Sequence, residues 1–353
     1  MGDMVGQSGL TRRALGCLAG ASIACRAGAP DYDGLIRPLA ASGSFMGTVL
    51  VSRGERILFE RAYGSADLEW NIPNTIDGKF RIGSLSKQFT AASVLLLAQE
   101  TKVDLDRSIT GYVPDAPEAW KPVTLHHLLT HTSGIPDFVG FPDFQSRKTL
   151  PSPLAETLLR FRDRPLEFSP GSEGRYSNSG YVLLASIVEH ASGETFDRFP
   201  LTRVLEPAGL RDTRLDTHSP ILPRRVRGYT RFRPGLGNAD HIDMSVATGG
   251  GSMYSTVHDL RRWTLALHQG RVVSAALYRR MMTPTFHNYG YGLEIRSEPG
   301  SRIIGHGGGM EGFTSFLHYR EKEAMVSAVL ANLNTDVTGR LADQLAGLDR
   351  GGA

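Results

Sequence analysis

One serine in this chain is spaced for assisted nucleophilic attack. In Gly83-Ser84-Leu85-Ser86-Lys87 a loop runs into a helical pattern extending from Gln88 to Glu100. Residues three apart share a helix face, so the Ser84 hydroxyl and the Lys87 ammonium can meet. A free serine is a weak nucleophile and needs a base beside it. Lysine, with an unperturbed pKa of about 10.4, becomes that base near neutrality only when burial or nearby positive charge lowers it. A helix N-terminus assists twice: its positive end disfavours Lys⁺, and its free N–H groups can hold an oxyanion. Taken alone, a helix cap followed by a surface lysine accounts for the same residues.

Two further clusters carry chemistry. Of the eleven tyrosines, only Tyr176 has an asparagine two places later, in Tyr176-Ser177-Asn178. A tyrosine near a lysine can pass a proton between nucleophile and leaving group, and an asparagine amide both donates and accepts. By itself the segment reads as a turn before a helix. Gly305-His306-Gly307-Gly308-Gly309 follows the strand pattern Arg302–Ile304. It reads either as a flexible hairpin turn or as an unobstructed backbone edge along which a substrate can pair. The chain contains no Gly-x-Ser-x-Gly elbow, no His-Glu-x-x-His and no phosphate loop.

The composition is that of a soluble globular protein: 353 residues, 41% hydrophobic, 21% charged, with a formal net charge of +3. That length supports a sizeable core, and the small charge with no basic run argues against a nucleic-acid partner. The only cysteines, Cys17 and Cys25, lie near the start, so disulfides, zinc–cysteine sites and cysteine nucleophiles are not expected downstream. Of 39 basic residues only six are lysines: Lys79, Lys87, Lys102, Lys121, Lys148 and Lys322. Thr11-Arg12-Arg13 followed by the uncharged stretch Ala14 to Cys25 reads as an export signal over residues 1–29, with a partial twin-arginine match. The expected destination is the periplasm or the medium, with lipid attachment at Cys25 as an option. No later segment is apolar enough to span a membrane.

Elements that must position these residues follow from patterning. Phe45 to Gly64 reads strand–turn–strand, and Arg302–Ile304, Thr314–Tyr319 and Met325–Leu330 read as three more strands before a helix over Val337 to Leu348. Between them lie the helical patterns Gln88–Glu100, Val123–Leu129, Gly180–Ala191 and Thr256–His268. The fold class is therefore α+β: an antiparallel sheet from the N- and C-terminal segments, packed with helices, and an inserted, mainly helical lobe over roughly residues 88–270 of a domain covering 30–353. Trp70, Trp120 and Trp263 are assigned to core or lobe packing. His126, His127 and His131 cluster, with the last two at helical spacing, but no acidic residue completes a ligand set, so no metal site is expected. Gly249-Gly250-Gly251 reads as a turn beside the active site.

Ser-x-x-Lys, then Tyr-x-Asn, then a basic residue before Gly, in that order, resembles the signature of the penicillin-recognising serine enzymes, the β-lactamase and penicillin-binding protein superfamily. Leu128 through Pro136, Gly249–Gly251 and Gly305 through Phe313 also look like family segments, and the resemblance spans about Tyr32 to Leu345. Tyr-x-Asn points to the class C-like branch, which includes D-alanyl-D-alanine carboxypeptidases, D-aminopeptidases and family VIII esterases. His306 favours the carboxypeptidase and esterase branches. The resemblance implies that Ser84 forms an acyl-enzyme, Lys87 takes its proton, and Tyr176 relays protons. It further implies that Asn178 positions the substrate's acyl-side amide, that Ser84 and Gly309 supply oxyanion N–H groups beside Gly308, and that His306 lines the site. No cofactor is implied. Gly307 departs from the family's usual threonine, whose hydroxyl helps hold a substrate carboxylate, so an ester or small amide substrate is expected ahead of a β-lactam or cell-wall peptide. Acyl transfer, or non-hydrolytic binding of peptidoglycan or a β-lactam, is the remaining alternative.

Overall fold

The computed structural model describes residues 30–232 and 235–348; the leader expected over residues 1–29 lies outside the described residues. Helix α1 (Tyr32–Ala41) is capped by Asp31, whose carboxylate accepts from the Gly34 N–H. It leads into the expected strand pair β1 (Gly47–Arg53) and β2 (Arg56–Tyr63). The lobe contains three long helices: α2 (Ser86–Gln99), α3 (Asn178–Ser192) and α4 (Val257–His268). The chain then returns as β3 (Glu294–Glu298), β4 (Ser301–Met310), β5 (Phe313–Arg320) and β6 (Met325–Ala331), and ends in α5 (Val337–Gly347). These strands build one antiparallel sheet in the order β3-β4-β5-β6-β1-β2. The two chain ends meet where Gly47 to Arg53 pair with Ala331 to Met325.

Strand β1 is buried on both faces because each face has its own cover. Val49 and Val51, with Met325 and Val329, pack against Tyr32 and Ile36 of α1 and Leu341 and Leu345 of α5. Leu50, Val326, Ala328 and Leu330 join the larger core shared with the lobe. The period-two alternation of a strand thus divides one run of apolar residues between two cores.

Helix α2 stands at the centre of the lobe, and every residue from Ser86 to Leu95 is buried. A helix apolar on all sides is stable only when surrounded, and its polar side chains must find partners inside. The Trp263 indole N–H donates to Gln88 Oε1 at 2.8 Å, the Thr90 hydroxyl donates to the Gly249 carbonyl at 2.7 Å, and the Ser93 hydroxyl donates to Phe89 O at 2.9 Å.

The lobe's regular structure is mainly helical, as expected, with a small sheet in which Met253–Ser255 pairs with Arg214–Leu215 and with Phe80–Arg81. Two sequence expectations are corrected. The helix expected over Val123–Leu129 is Leu125–Leu129, and His131 beyond it has φ 59°, so His127 and His131 do not share a helical face. Trp120 and Trp263 are buried, but Trp70 is 77% exposed and packs in no core.

Replacing Trp263 with Ala is expected to lower stability by about 3–5 kcal/mol, since it empties a ring-sized volume 4.6 Å from the Phe89 ring and strips Gln88 of its donor. Urea unfolding monitored by circular dichroism measures this. A loss below about 1 kcal/mol would mean that α2 does not depend on that packing.

Candidate active site

Ser84 occupies a one-turn 3-10 segment, Gly83–Leu85, that feeds α2. The turn touches β4 at main-chain distance. Gly83 has φ 50°, and a Cβ there would stand 2.6 to 2.9 Å from the Gly309 backbone. A Cβ on Gly308 would lie 2.0 Å from Ile82 O. The glycines at 307 to 309 are therefore part of a strand and permit close approach. The pairing of β4 with β3 stops at Gly305, whereas its pairing with β5 continues to Met310. Beyond Gly305 the edge on the β3 side has no strand partner among the described residues, and Gly309 and Met310 line the cleft beside Ser84.

Lys87, one helical turn on, is fully buried. Its Nζ lies 3.1 Å from Ser84 Oγ, 2.9 Å from Asn178 Oδ1 and 2.7 Å from Gly250 O. Burial pulls its pKa down to about 7, and the Asp137 carboxylate opposes that shift. A neutral amine has two N–H groups and one lone pair. It can donate to Asn178 and to Gly250 while accepting the Ser84 proton. The Tyr176 hydroxyl, 2.7 Å from Ser84 Oγ, donates to the same oxygen. Although Tyr176 is 41% exposed overall, burial of its hydroxyl end raises its pKa, so the phenol holds its proton.

The loop from His131 to Asp137 positions Tyr176 and Asn178. The Ser177 N–H donates to His131 Nδ1 at 3.1 Å, and the Ser177 hydroxyl donates to Ile135 O. The His131 ring lies 4.3 Å from the Tyr176 ring, and burial keeps the imidazole neutral. Asp137 accepts from both the main-chain N–H and the side-chain amide of Asn178, each at 3.1 Å. With Oδ1 engaged by Lys87 and one Nδ2 hydrogen by Asp137, Asn178 keeps one hydrogen for a ligand in the cleft it lines.

His306 departs from expectation. It is buried behind Tyr176, with ring centroids 6.3 Å apart, and is not among the residues lining the cleft. Its Nδ1 donates to Gly307 O and its Nε2 accepts the Tyr289 hydroxyl at 2.8 Å. Burial, with Lys87 nearby, lowers its pKa to about 4, so it is neutral at pH 7. His126 and His127 are engaged elsewhere: His126 Nδ1 with the Tyr291 hydroxyl at 2.8 Å, and His127 Nδ1 accepting the Thr124 N–H at 3.2 Å.

The cleft holds about 630 Å³. Phe138, Val139, Phe144, Ile242, Val246 and Met310 supply apolar surface, and two carboxylates, Asp240 and Glu311, line it as well. No Lys, Arg or His is among its lining residues. Both carboxylates are paired with Lys148, whose Nζ sits 3.0 Å from Glu311 and 3.5 Å from Asp240. Sequence reasoning missed Asp137, Tyr289, Lys148, Asp240 and Glu311. Asp137 directly follows the family-like segment ending at Pro136, Glu311 lies inside the one from Gly305 through Phe313, and Lys148 is one of only six lysines, so three of the five had a readable signal.

Chemically, neutral Lys87 can accept the Ser84 proton as Oγ attacks a carbonyl carbon. The Tyr176 hydroxyl can hand its proton to the leaving group, and the Lys87 ammonium, which contacts the same serine oxygen, holds the proton taken from Ser84 and can return it to the phenolate. Water entering along the leaving-group path reverses the sequence.

A family model described as Beta-lactamase matches residues 32–350, and the chain belongs to that family. It is an enzyme, a serine hydrolase of the β-lactamase and penicillin-binding protein superfamily. It is 30% identical over 305 residues to "Penicillin-binding protein 4*" of Bacillus subtilis, covering 80% of this chain and 67% of that protein. It is 29% identical over 279 residues to a "D-aminopeptidase" of Brucella anthropi, covering 76% of this chain but 52% of the relative, so it spans about half of that protein's length. A solved structure, D-amino acid amidase from Ochrobactrum anthropi SV3 complexed with L-phenylalanine, superposes with a TM-score of 0.77 at 28% identity, covering 86% of this chain and 91% of the other.

Because the reactive form needs neutral Lys87, kcat/KM should rise with pH through an apparent pKa of about 7 and level off above it. The Asp137→Asn variant removes a charge that favours Lys87-NH₃⁺, so its ascending limb should move to lower pH. A pH–rate profile on any turned-over substrate measures both. An unmoved limb in the variant would show that Asp137 does not act on Lys87.

Proposed function

We propose that the protein is an exported hydrolase that removes a D-amino acid residue carrying a free amino group from a small amide or an ester, through an acyl-enzyme on Ser84. The observation that carries this reading is the charge of the cleft wall. Glu311 stands two residues beyond Gly309, Asp240 faces the same cleft, and one buried ammonium, Lys148, serves both carboxylates. Such a wall attracts a substrate ammonium and repels a carboxylate. The groups expected to hold a carboxylate are also missing, since Gly307 has no hydroxyl and His306 is neutral and turned to Tyr289. That disfavours a penicillin or a D-alanyl-D-alanine terminus as the preferred substrate. The relatives named D-aminopeptidase and D-amino acid amidase support the same substrate class. Export rests on Thr11-Arg12-Arg13 and the uncharged stretch that follows.

D-Alanine p-nitroanilide, its N-acetyl derivative, p-nitrophenyl acetate and nitrocefin form the test panel, with Ser84→Ala as the control. The free-amine anilide is expected to exceed its acetylated form at least about tenfold in kcat/KM. Glu311→Gln should erase most of that preference, a loss of about 1–2 kcal/mol, while leaving the acetylated substrate nearly unchanged. Faster turnover of nitrocefin or of the acetylated anilide would overturn the reading. Fractionation of cells expressing the wild-type chain and an Arg12→Lys/Arg13→Lys variant tests export: the variant should accumulate in the cytoplasm, and equal distribution of the two would contradict a twin-arginine route.

A further inference from the structure

Outside the catalytic cluster, one group of side chains has the composition of a metal site. His218 lies in the loop after the short strand Arg214–Leu215, and His241 and Asp243 lie between the strand Leu236–Asn238 and the turn Met244–Ala247. One donor atom from each, an imidazole nitrogen from both histidines and a carboxylate oxygen from Asp243, lies within 4.8 Å of the other two. Among the described residues this is the one cluster of three or more His, Cys, Asp or Glu side chains at such spacing. The two imidazoles face each other with centroids 5.0 Å apart and planes 40° to one another.

We infer that His218, His241 and Asp243 bind a divalent transition-metal ion of the zinc type, which ties the loop at His218 to one wall of the catalytic cleft. The donor chemistry selects the ion: two imidazoles and one carboxylate suit Zn²⁺, Ni²⁺ or Cu²⁺, whereas Mg²⁺ and Ca²⁺ prefer oxygen donors throughout. The size also fits. Zn–N and Zn–O bonds of about 2.0–2.2 Å in a tetrahedral site put donors roughly 3.4 Å apart. Both histidines are exposed, so rotation of their rings can draw the donors in from the present spacing. A fourth position would remain for water.

The third ligand is the oriented one. Asp243 Oδ1 accepts from the Ser245 N–H at 3.0 Å and from the Ser245 hydroxyl at 2.6 Å, which fixes the carboxylate and leaves Oδ2 for a metal. The Asp243 N–H donates to Lys148 O at 2.9 Å. Such hydrogen bonds to a ligating carboxylate are a regular part of metal sites. The position explains what the ion would do. Asp240 and Ile242, on either side of His241, both line the catalytic cleft. Nothing in the sequence pattern announced the site, because His218 stands far from His241 and Asp243 along the chain; only the folding of the two loops joins them.

Isothermal titration of the metal-stripped full chain with ZnCl₂ tests the inference. One equivalent is expected to bind, and MgCl₂ should give no binding. The double variant His218→Ala/His241→Ala should lose the binding or weaken it at least about a hundredfold. Asp243→Asn, which can still accept the Ser245 hydrogen bonds, should weaken it about tenfold or more. His258→Ala, a histidine outside the cluster, should bind as the wild type does. Co²⁺ added to the stripped protein should give visible absorption bands that the double variant lacks. Stoichiometric Zn²⁺ binding unchanged in the double variant, or no Zn²⁺ binding by the wild type, would overturn the proposal.

Discussion

A lysine ammonium does not belong in a dry protein interior, and the arrangement around Ser84 follows from keeping one there. Lys87 has no solvent contact, and its Nζ is met by the Asn178 side-chain carbonyl, the Gly250 carbonyl and the Ser84 hydroxyl. Two carbonyls absorb the two hydrogens of a neutral amine, and the lone pair is left aimed at the serine. Burial disfavours the charged form, and a single carboxylate, Asp137, pulls the other way. Asp137 acts on the lysine through space by its charge, and it also holds Asn178 by both its main-chain and side-chain N–H groups. Its distance leaves the amine near the point of titration, without the close ion pair that would hold it charged.

Burying that amine requires helix α2 to be enclosed all round, and so requires both the inserted lobe and the sheet. α4 closes one side through Trp263 and Gln88. The Gly249–Gly251 turn closes another, giving one carbonyl to Thr90 and the next to Lys87. The sheet closes the remaining side, with Gly83 against Gly309 and Gly308 against Ile82 at distances that exclude any side chain. The sheet needs both ends of the chain, since β1 lies between β2 and β6. Nucleophile, base and backbone edge are thus held by one packing arrangement.

What the sequence made legible was local. Ser84 and Lys87 are three residues apart, Tyr176 and Asn178 two, and the glycines follow one another on β4, so spacing allowed chemistry, and the order of the three motifs, which resembles the family's signature, favoured it over a cap, a turn and a hairpin. The alternating strands near each end and the helices carrying these motifs were readable for the same reason. The unread features depend on residues brought together from afar. Asp137 meets Asn178 across 41 positions, and Tyr289 meets His306 across 17. Lys148, Asp240 and Glu311 converge from three segments. β3, with the sequence Glu-Ile-Arg-Ser-Glu, is polar enough at a sheet edge to carry no strand signal. Composition likewise could not tell that Trp70 stands in solvent while Trp120 and Trp263 are buried, because side-chain type sets a preference and the fold decides the burial.

The central claim is that one lysine of this chain is a neutral base near physiological pH. With only six lysines, the claim can be read directly by ¹³C NMR of protein labelled at the lysine ε-carbon, titrated from pH 5 to pH 11. One resonance, absent in Lys87→Ala, should titrate near pH 7 while the others titrate near their usual value of about 10.4. A Lys87 resonance that stays charged to pH 10 would contradict the account.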